Sequence, residues 1–361
     1  MENRINNFSA GPCTLPNEVM LEAQKDFYSY KDQGLSVMEM SHRSKTYDEI
    51  IVDAEKDLRT LLNIGDDYSV MFIQGGATLQ FSMVALNLMP PNNKADYINT
   101  GAWSKKAIIE AKRVGEVNIA ASSDDKNFNY IPKQDSFNLT PDASYVHYTS
   151  NNTIFGTGFK AEPIVGDVPL VCDASSDILS KPIDVNKYGL IYAGAQKNMG
   201  PAGAALVIVK KSLLERAPDT LHTYLNYNTH ASKASMYNTP PTYTIYIMGL
   251  VYKWLIKNGG LDAMQKVNEA KAKLLYDAID NSNGYYKGAA AIEDRSLMNV
   301  TYNLQSEELE KKFIAEATAK DFSGLKGHRS VGGIRASIYN AFPTSGVEEL
   351  VQFMADFKAN N

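Results

Sequence analysis

The chain reads as an α/β protein, and three observations predict that class. Short apolar runs alternate with helix-period patterns between Ser69 and Val209. Several of these runs are continuously apolar, as expected of strands in a mostly parallel sheet covered on both faces. After Pro240-Pro241 the composition shifts, and a smaller α+β unit is predicted to follow.

The elements follow in order. Asn6-Asn7-Phe8-Ser9-Ala10-Gly11-Pro12 is too polar and too rich in Gly and Pro for a regular element, and reads as an extended arm. A first helix starts at about Asn17. Tyr47, Ile50, Ile51, Ala54, Leu58, Leu61 and Leu62 recur at helical spacing and predict an amphipathic helix, with Gly65 placed to end it. Strands are predicted at 69–73, 97–100, 116–120, 145–148, 169–172, 190–193 and 204–209, with helices at 79–88 and 103–112. The segment 124–142 reads as loop. Residues 243–257 form a long apolar helix closed by Gly259-Gly260, suited to link two domains. A second helix carries Leu261, Met264, Val267, Leu274, Leu275, Ala278 and Ile279 on one face and ends near Gly284. A strand at 297–304, a helix at 307–320 and a strand at 334–338 precede a last helix. That helix is expected to open with a capping box, Ser345 with Glu348.

Composition narrows the function classes. A net charge of −5 over 361 residues gives no basic surface for nucleic acid or anionic membrane. No apolar run is long enough to span a bilayer, and the first residues lack the apolar core of a signal peptide. Two cysteines, Cys13 and Cys172, provide no disulfide framework and no metal spacing, which suits a cytoplasmic protein. His147, His222 and His230 show no metal spacing either and read as structural. No metal is expected.

In a doubly covered sheet, functional groups gather at the carboxyl ends of strands. Lys197 stands at such an end, between two apolar runs with little room for a charge, so it must be paired, neutralised or used covalently. A lysine on an exposed loop tip is the ordinary alternative. Gly75-Gly76-Ala77-Thr78 joins a strand to a helix and suits an anion, though a tight turn alone would look the same. Asp173 ends another strand and needs a cation or donors, a protonated ring nitrogen or the next turn's amides. Trp103 offers a flat apolar face at a strand–helix junction. Together these are the parts that pyridoxal phosphate requires: a phosphate cradle, a stacking plate, a pyridinium partner and a Schiff-base lysine. Two cationic pairs, His42-Arg43 and His328-Arg329, and Arg335 on a strand suit phosphate and carboxylates.

The chain resembles the phosphoserine aminotransferases, pyridoxal-phosphate enzymes of fold type I within class V, essentially end to end. The likeness lies in Asn7-Phe8-Ser9-Ala10-Gly11-Pro12, Met38 to Ser44, Gly75 to Phe81, Asn99-Thr100-Gly101-Ala102-Trp103-Ser104, Ala195-Gln196-Lys197-Asn198, Gly200-Pro201-Ala202-Gly203 and Val331 to Ala341. The resemblance implies a large domain with a mostly parallel seven-stranded sheet at 17–257, a smaller C-terminal domain at 258–361, and an arm at 1–16 that joins the latter. It implies Lys197 as the Schiff-base lysine and proton shuttle, and Asp173 on the pyridine nitrogen. Trp103 would stack on the ring and Thr153 would bond its hydroxyl. Ala77, Thr78 and Gln196 would hold the phosphate, joined by Asn238 and Thr239 from a second subunit. A homodimer with shared active sites is therefore implied. Arg335 would bind the substrate α-carboxylate. His42, Arg43 and, from the partner chain, His328 and Arg329 would take the substrate phosphate, with Arg43 and Ser9 also serving glutamate. The implied reaction is a ping-pong exchange between L-glutamate and 3-phosphohydroxypyruvate in serine biosynthesis, with 4-phosphohydroxy-L-threonine as a further substrate class in pyridoxine biosynthesis.

Other readings remain at this point. Another class V enzyme would share the fold, but a cysteine desulfurase needs a reactive cysteine in a mobile loop, and Cys13 and Cys172 are poorly placed for that. A non-catalytic binding protein would have no need of Lys197, Asp173 and Arg335 together.

Overall fold

The computed structural model describes residues 4–90 and 92–361, so the first three residues of the expected arm lie outside the described residues. Seven strands form the central sheet in the spatial order Tyr68–Gly75, Gly203–Lys210, Leu190–Gly194, Leu170–Asp173, Val146–Thr149, Lys94–Asn99 and Glu116–Ser122. Only Gly203–Lys210 runs antiparallel to its neighbours; the other pairings are parallel. The sheet is therefore mostly parallel, as its continuously apolar strands require.

Each strand feeds two cores. Val70 and Phe72 pack on one face under helices α2 (Lys45–Leu62) and α6 (Thr242–Lys257). Met71 and Ile73 pack on the other under α3 (Ala77–Leu88) and α4 (Ala102–Ala111). Both faces are dry over the inner strands, which lose the in–out alternation of a half-exposed sheet, while the edge strand Glu116–Ser122 stays partly exposed.

Two helix boundaries differ from expectation. Ser44 caps α2 by accepting the Tyr47 amide at 3.2 Å, but the helix ends at Asn63, which takes the left-handed conformation (φ 49°) before Gly65 is reached. The last helix (Thr344–Asn360) starts two residues earlier than expected, with Pro343 rather than Ser345 as its cap. Ser345 then lies inside the first turn, and the Ser345–Glu348 capping box does not form.

The helices at 242–257 and 260–280 meet at Gly259 and Gly260, whose φ values of 91° and 70° allow a sharp reversal that other residues disfavour. Helix α7 (Gly260–Asp280) serves both halves of the molecule. Leu261 and Met264 pack into the large core, and Ala272, Leu275 and Ile279 into a second core. That second core surrounds a three-stranded antiparallel sheet, Lys287–Gly288, Asn299–Asn303 and Ile334–Ser337. The N-terminal arm joins it: Asn6–Asn7 pairs in parallel with Phe322–Ser323, and Phe8 is fully buried 4.3 Å from Phe342. Among the described residues no helix is long and apolar enough to cross a membrane, and no His/Cys/Asp/Glu cluster could hold a metal.

Candidate active site

Strand Leu190–Gly194 delivers Lys197 through a tight turn in which Ala195 O accepts both the Met199 and Gly200 amides, at 3.2 and 2.8 Å. A side chain at Gly200 would press to 2.9 Å from Met248 on α6, so the turn sits directly on the helix. Lys197 Nζ donates to Thr153 Oγ1 at 2.8 Å and lies 5.7 Å from the centre of the Trp103 ring. The arm closes over it. The Cys13 amide donates to Gln196 O at 3.2 Å, its thiol to Lys197 O, and Gly11 (φ 145°) passes so close that a Cβ there would meet Lys197 Cγ at 3.2 Å.

Burial pushes the Lys197 ammonium down to about 8, against the pull of Asp173; Arg335 adds to the depression. An amine with that value is largely protonated at pH 6.5 and largely free at pH 9. Covalent capture of an aldehyde by the cofactor-free protein should therefore accelerate as pH rises through about 8. The check is borohydride trapping at timed intervals with peptide mapping; a rate that stays flat until pH 10 would contradict this environment.

Asp173 ends strand Leu170–Asp173 and is 4% exposed. Its carboxylate accepts the Ser175 amide at 3.0 Å, and among the described residues it has no ion-pair partner. Burial raises its pKa, while the Ser175 hydrogen bond and the Lys197 charge act in the opposite direction. Trp103 is set by the start of α4, where Ser104 Oγ accepts the Thr100 and Gly101 amides at 3.0 Å each. Its Nε1 is buried without a partner. Helix α3 is capped by Gly76, which offers no side-chain acceptor, so the Ala77 and Thr78 amides are left for an outside anion. A buried carboxylate without a cation, an unpartnered indole N–H, an uncapped helix start and a neutralisable lysine fit pyridoxal phosphate. Gln196 lies beside them, its Oε1 where a Cβ on Gly194 would come within 2.8 Å.

The cations fall into two groups. Arg335 on strand Ile334–Ser337 reaches Thr153 O at 3.5 Å, and its Nε is buried without a partner. A cavity of about 230 Å³ runs from Arg335 to His328 and includes Lys126, Thr301 and Asn303 in its wall. Burial holds His328 below the ordinary histidine range, and Arg335, Arg329 and Lys106 push the same way; His328 shares the cavity wall with its own chain's Arg335. Its loop is closed by the Gly327 amide on Gly333 O at 2.8 Å; a Cβ at Gly327 would fall 1.8 Å from Gly332 O, so only glycine fits. Arg329 is exposed beside it.

The second group lies elsewhere. His42 Nδ1 is 3.2 Å from Thr239 Oγ1, and Asn238 Nδ2 is 3.5 Å from Gln74 Oε1. Within the chain no described hydrogen bond or ion pair joins His42, Arg43, Asn238 or Thr239 to Lys197, Asp173, Trp103 or Arg335. The sequence reading put His42-Arg43 with the lysine's own chain and His328-Arg329 on the partner. Within one chain His328 and Arg335 line the same cavity, and His42 contacts Thr239. Ser9 sits in the arm, with its amide on Asn7 Oδ1 at 3.1 Å.

The sequence reading missed Tyr339, whose hydroxyl donates to Ala10 O at 2.7 Å and receives Asn299 Nδ2 at 3.2 Å. It also missed Asn198 Oδ1, which accepts the Asn340 amide at 3.0 Å and ties the lysine turn to the small sheet. Both tyrosine and asparagine stood in the motifs that carried the resemblance, but nothing local marks them as contacts between distant segments.

Residues 5–350 match the class-V aminotransferase family model. The chain is 54% identical to the phosphoserine aminotransferase of Lysinibacillus sphaericus, covering 99% of each chain, and 55% identical to that of Desulfosudis oleivorans, covering 100% of each. The chain belongs to the phosphoserine aminotransferase family. Among solved structures, the phosphoserine aminotransferase from Bacillus circulans subsp. alkalophilus superposes with a TM-score of 0.97 at 49% identity, over 99% of both chains. The pyridoxal-phosphate-bound family member from Trichomonas vaginalis superposes with a TM-score of 0.93 at 39% identity, covering 98% of this chain and 100% of that one. The α/β architecture is thus that of fold type I, with a large sheet domain and a smaller C-terminal α+β domain.

Proposed function

We propose that this chain is a pyridoxal-phosphate-dependent transaminase that exchanges an amino group between L-glutamate and 3-phosphohydroxypyruvate, forming 2-oxoglutarate and O-phospho-L-serine. The observation that carries this reading is the joint placement of a neutralisable Lys197 and of Arg335 on Thr153, through its hydroxyl and its carbonyl, with the buried Asp173 acting on Lys197 by charge. Family membership supports the same reaction. When bound, the cofactor supplies a ring that accepts the electron pair released as the substrate Cα–H bond breaks.

Every other task falls to the chain's own residues. Asp173 binds and holds a proton on the ring nitrogen, and Trp103 orients the ring by stacking. Thr153 bonds the ring hydroxyl; Ala77, Thr78 and Gln196 hold the phosphate. Lys197 Nζ takes the Cα proton and returns it on the other side of the exchange; its depressed pKa keeps a useful fraction as free base near neutrality. Arg335 binds the α-carboxylate. In each half of the cycle the distal group of the substrate, a carboxylate and then a phosphate, meets the His-Arg pairs. The arm, through Gly11 and Cys13, excludes water from the lysine stem. A desulfurase reading loses its nucleophile, since burial pushes the Cys13 thiol up to about 12 and Cys172 also upward.

The same reading assigns the subunits. His328, Arg329 and Arg335 serve their own chain's lysine, whereas His42, Arg43, Asn238 and Thr239 complete the site of a second copy in a homodimer. The cavity that His328 shares with Arg335 supports this, as do the exposed Met20, Leu21, Phe27, Tyr28 and Met38 near the N-terminus. The domain division 1–16, 17–257 and 258–361 belongs to the same proposal, supported by Phe8 in the second core and the reversal at Gly259-Gly260. Reaction in the cytoplasm suits the two free cysteines.

The test is a half-reaction. Holoenzyme converted with glutamate should then react with phosphohydroxypyruvate at least about 100-fold more efficiently than with hydroxypyruvate, because two charge-assisted phosphate contacts are lost in the latter. The preparation should sediment as a dimer. Equal efficiency for both oxo acids would remove the phosphate assignment of the His-Arg pairs.

A further inference from the structure

Lys271 on α7 is fully buried and has no carboxylate partner among the described residues. Its Nζ instead donates into a nest of backbone carbonyls from one short segment: Ile338 O at 3.1 Å, Tyr339 O at 2.7 Å, Asn340 O at 3.4 Å and Phe342 O at 3.1 Å. An ammonium has three donors and no acceptor, so it suits a site made of acceptors alone. Burial pushes its pKa down to about 7, with Cys13 acting in the opposite direction. The arrangement is the one by which carbonyl oxygens replace the water shell of a monovalent cation.

What the segment touches gives the nest its use. The hydroxyl of Tyr339 holds Ala10 of the arm, and the amide of Asn340 holds Asn198, next to Lys197. Asn340 Nδ2 donates to Leu179 O at 2.8 Å, and Asn268, one turn before Lys271, donates to Asn340 Oδ1 at 2.8 Å. Three residues upstream of the nest, on the strand that leads into it, stands Arg335. The arm, the lysine turn and the strand of Arg335 therefore meet at carbonyls that would repel one another without a charge at their focus.

We infer that Lys271 is a positioning residue, a built-in monovalent cation whose ammonium gathers residues 338–342 and so sets Arg335 in register with Lys197. The inference rests on the reading of Arg335 and Lys197 as substrate-binding and proton-transferring groups. The substitutions to make are Lys271→Ala, which opens a space at the carbonyls, and Lys271→Met, which fills it without charge. Both are measured as holoenzymes for glutamate KM, kcat and melting.

Lys271→Ala should raise glutamate KM about tenfold with a smaller loss in kcat, as misplacement of a binding group does. Ammonium or potassium chloride should recover KM and melting temperature, and tetramethylammonium chloride at equal ionic strength should not. Lys271→Met should show the raised KM with no cation able to restore it. Indifference of Lys271→Ala to the choice of cation overturns the inference. So does a Lys271→Met protein with the parent KM, which decides the matter even if the alanine variant does not fold. If the substrate reading itself is wrong, the unmodified holoenzyme fails to react with glutamate, whereas the cation-dependent melting still reports on the nest alone.

Discussion

The Lys197→Ala protein should lose transamination by about 10⁴-fold, the upper range for removal of a positioned base, and more if covalent attachment is also rate-determining. The loss should appear in kcat, because the phosphate cradle, Trp103 and Asp173 remain to hold the cofactor. Folding should survive. The lysine's charge is a cost to the cofactor-free fold, since burial depresses its pKa to about 8 from an ordinary 10.5. Between those values the unfolded chain binds more protons than the folded one, so the parent apoprotein gains stability as pH rises through the window and the alanine variant does not. Below pH 8 the burial cost is fully present in the parent. Steady-state assays, borohydride trapping and melting curves at pH 7 and 10 test the three parts together. Turnover at the parent rate would dismiss Lys197 as the proton carrier.

The second large effect divides activity from stability. Asp173→Asn should lower kcat about 10³-fold, because the amide cannot hold a proton on the ring nitrogen by charge, a loss comparable to removing one preorganised electrostatic group. The same change should leave the cofactor-free protein at least as stable at pH 7. The carboxyl pKa is raised by burial, so the folded state holds its proton to higher pH than the unfolded chain does. Stability therefore falls as pH rises through that window, and above it the cost of the ionised group is complete. Asparagine carries no such charge and can keep the Ser175 amide contact through its carbonyl oxygen. A variant that lost both activity and melting temperature would assign Asp173 a structural role instead.

Much of this was legible one segment at a time. The inner strands were visible as apolar runs because both sheet faces are dry there, and the positions of Lys197, Asp173 and Trp103 at strand ends followed from that pattern. Caps were read less well. Asn63 ended α2 ahead of Gly65 because asparagine also tolerates the left-handed conformation. Pro343 started the last helix ahead of Ser345 because its ring presets a backbone angle suited to a helix entry.

What the sequence by itself determined is the α/β class and the identity of the chemically capable residues, since both depend on local periodicity and side-chain type. Only the tertiary structure decided that Gly203–Lys210 enters the sheet antiparallel, that Phe8 belongs to the second core, and that His328 and Arg335 line one cavity. Only there does Lys271 find its four carbonyls. Each of these is a contact between segments far apart in the chain, where partner choice is set by packing and desolvation of the assembled molecule, and no local pattern encodes it.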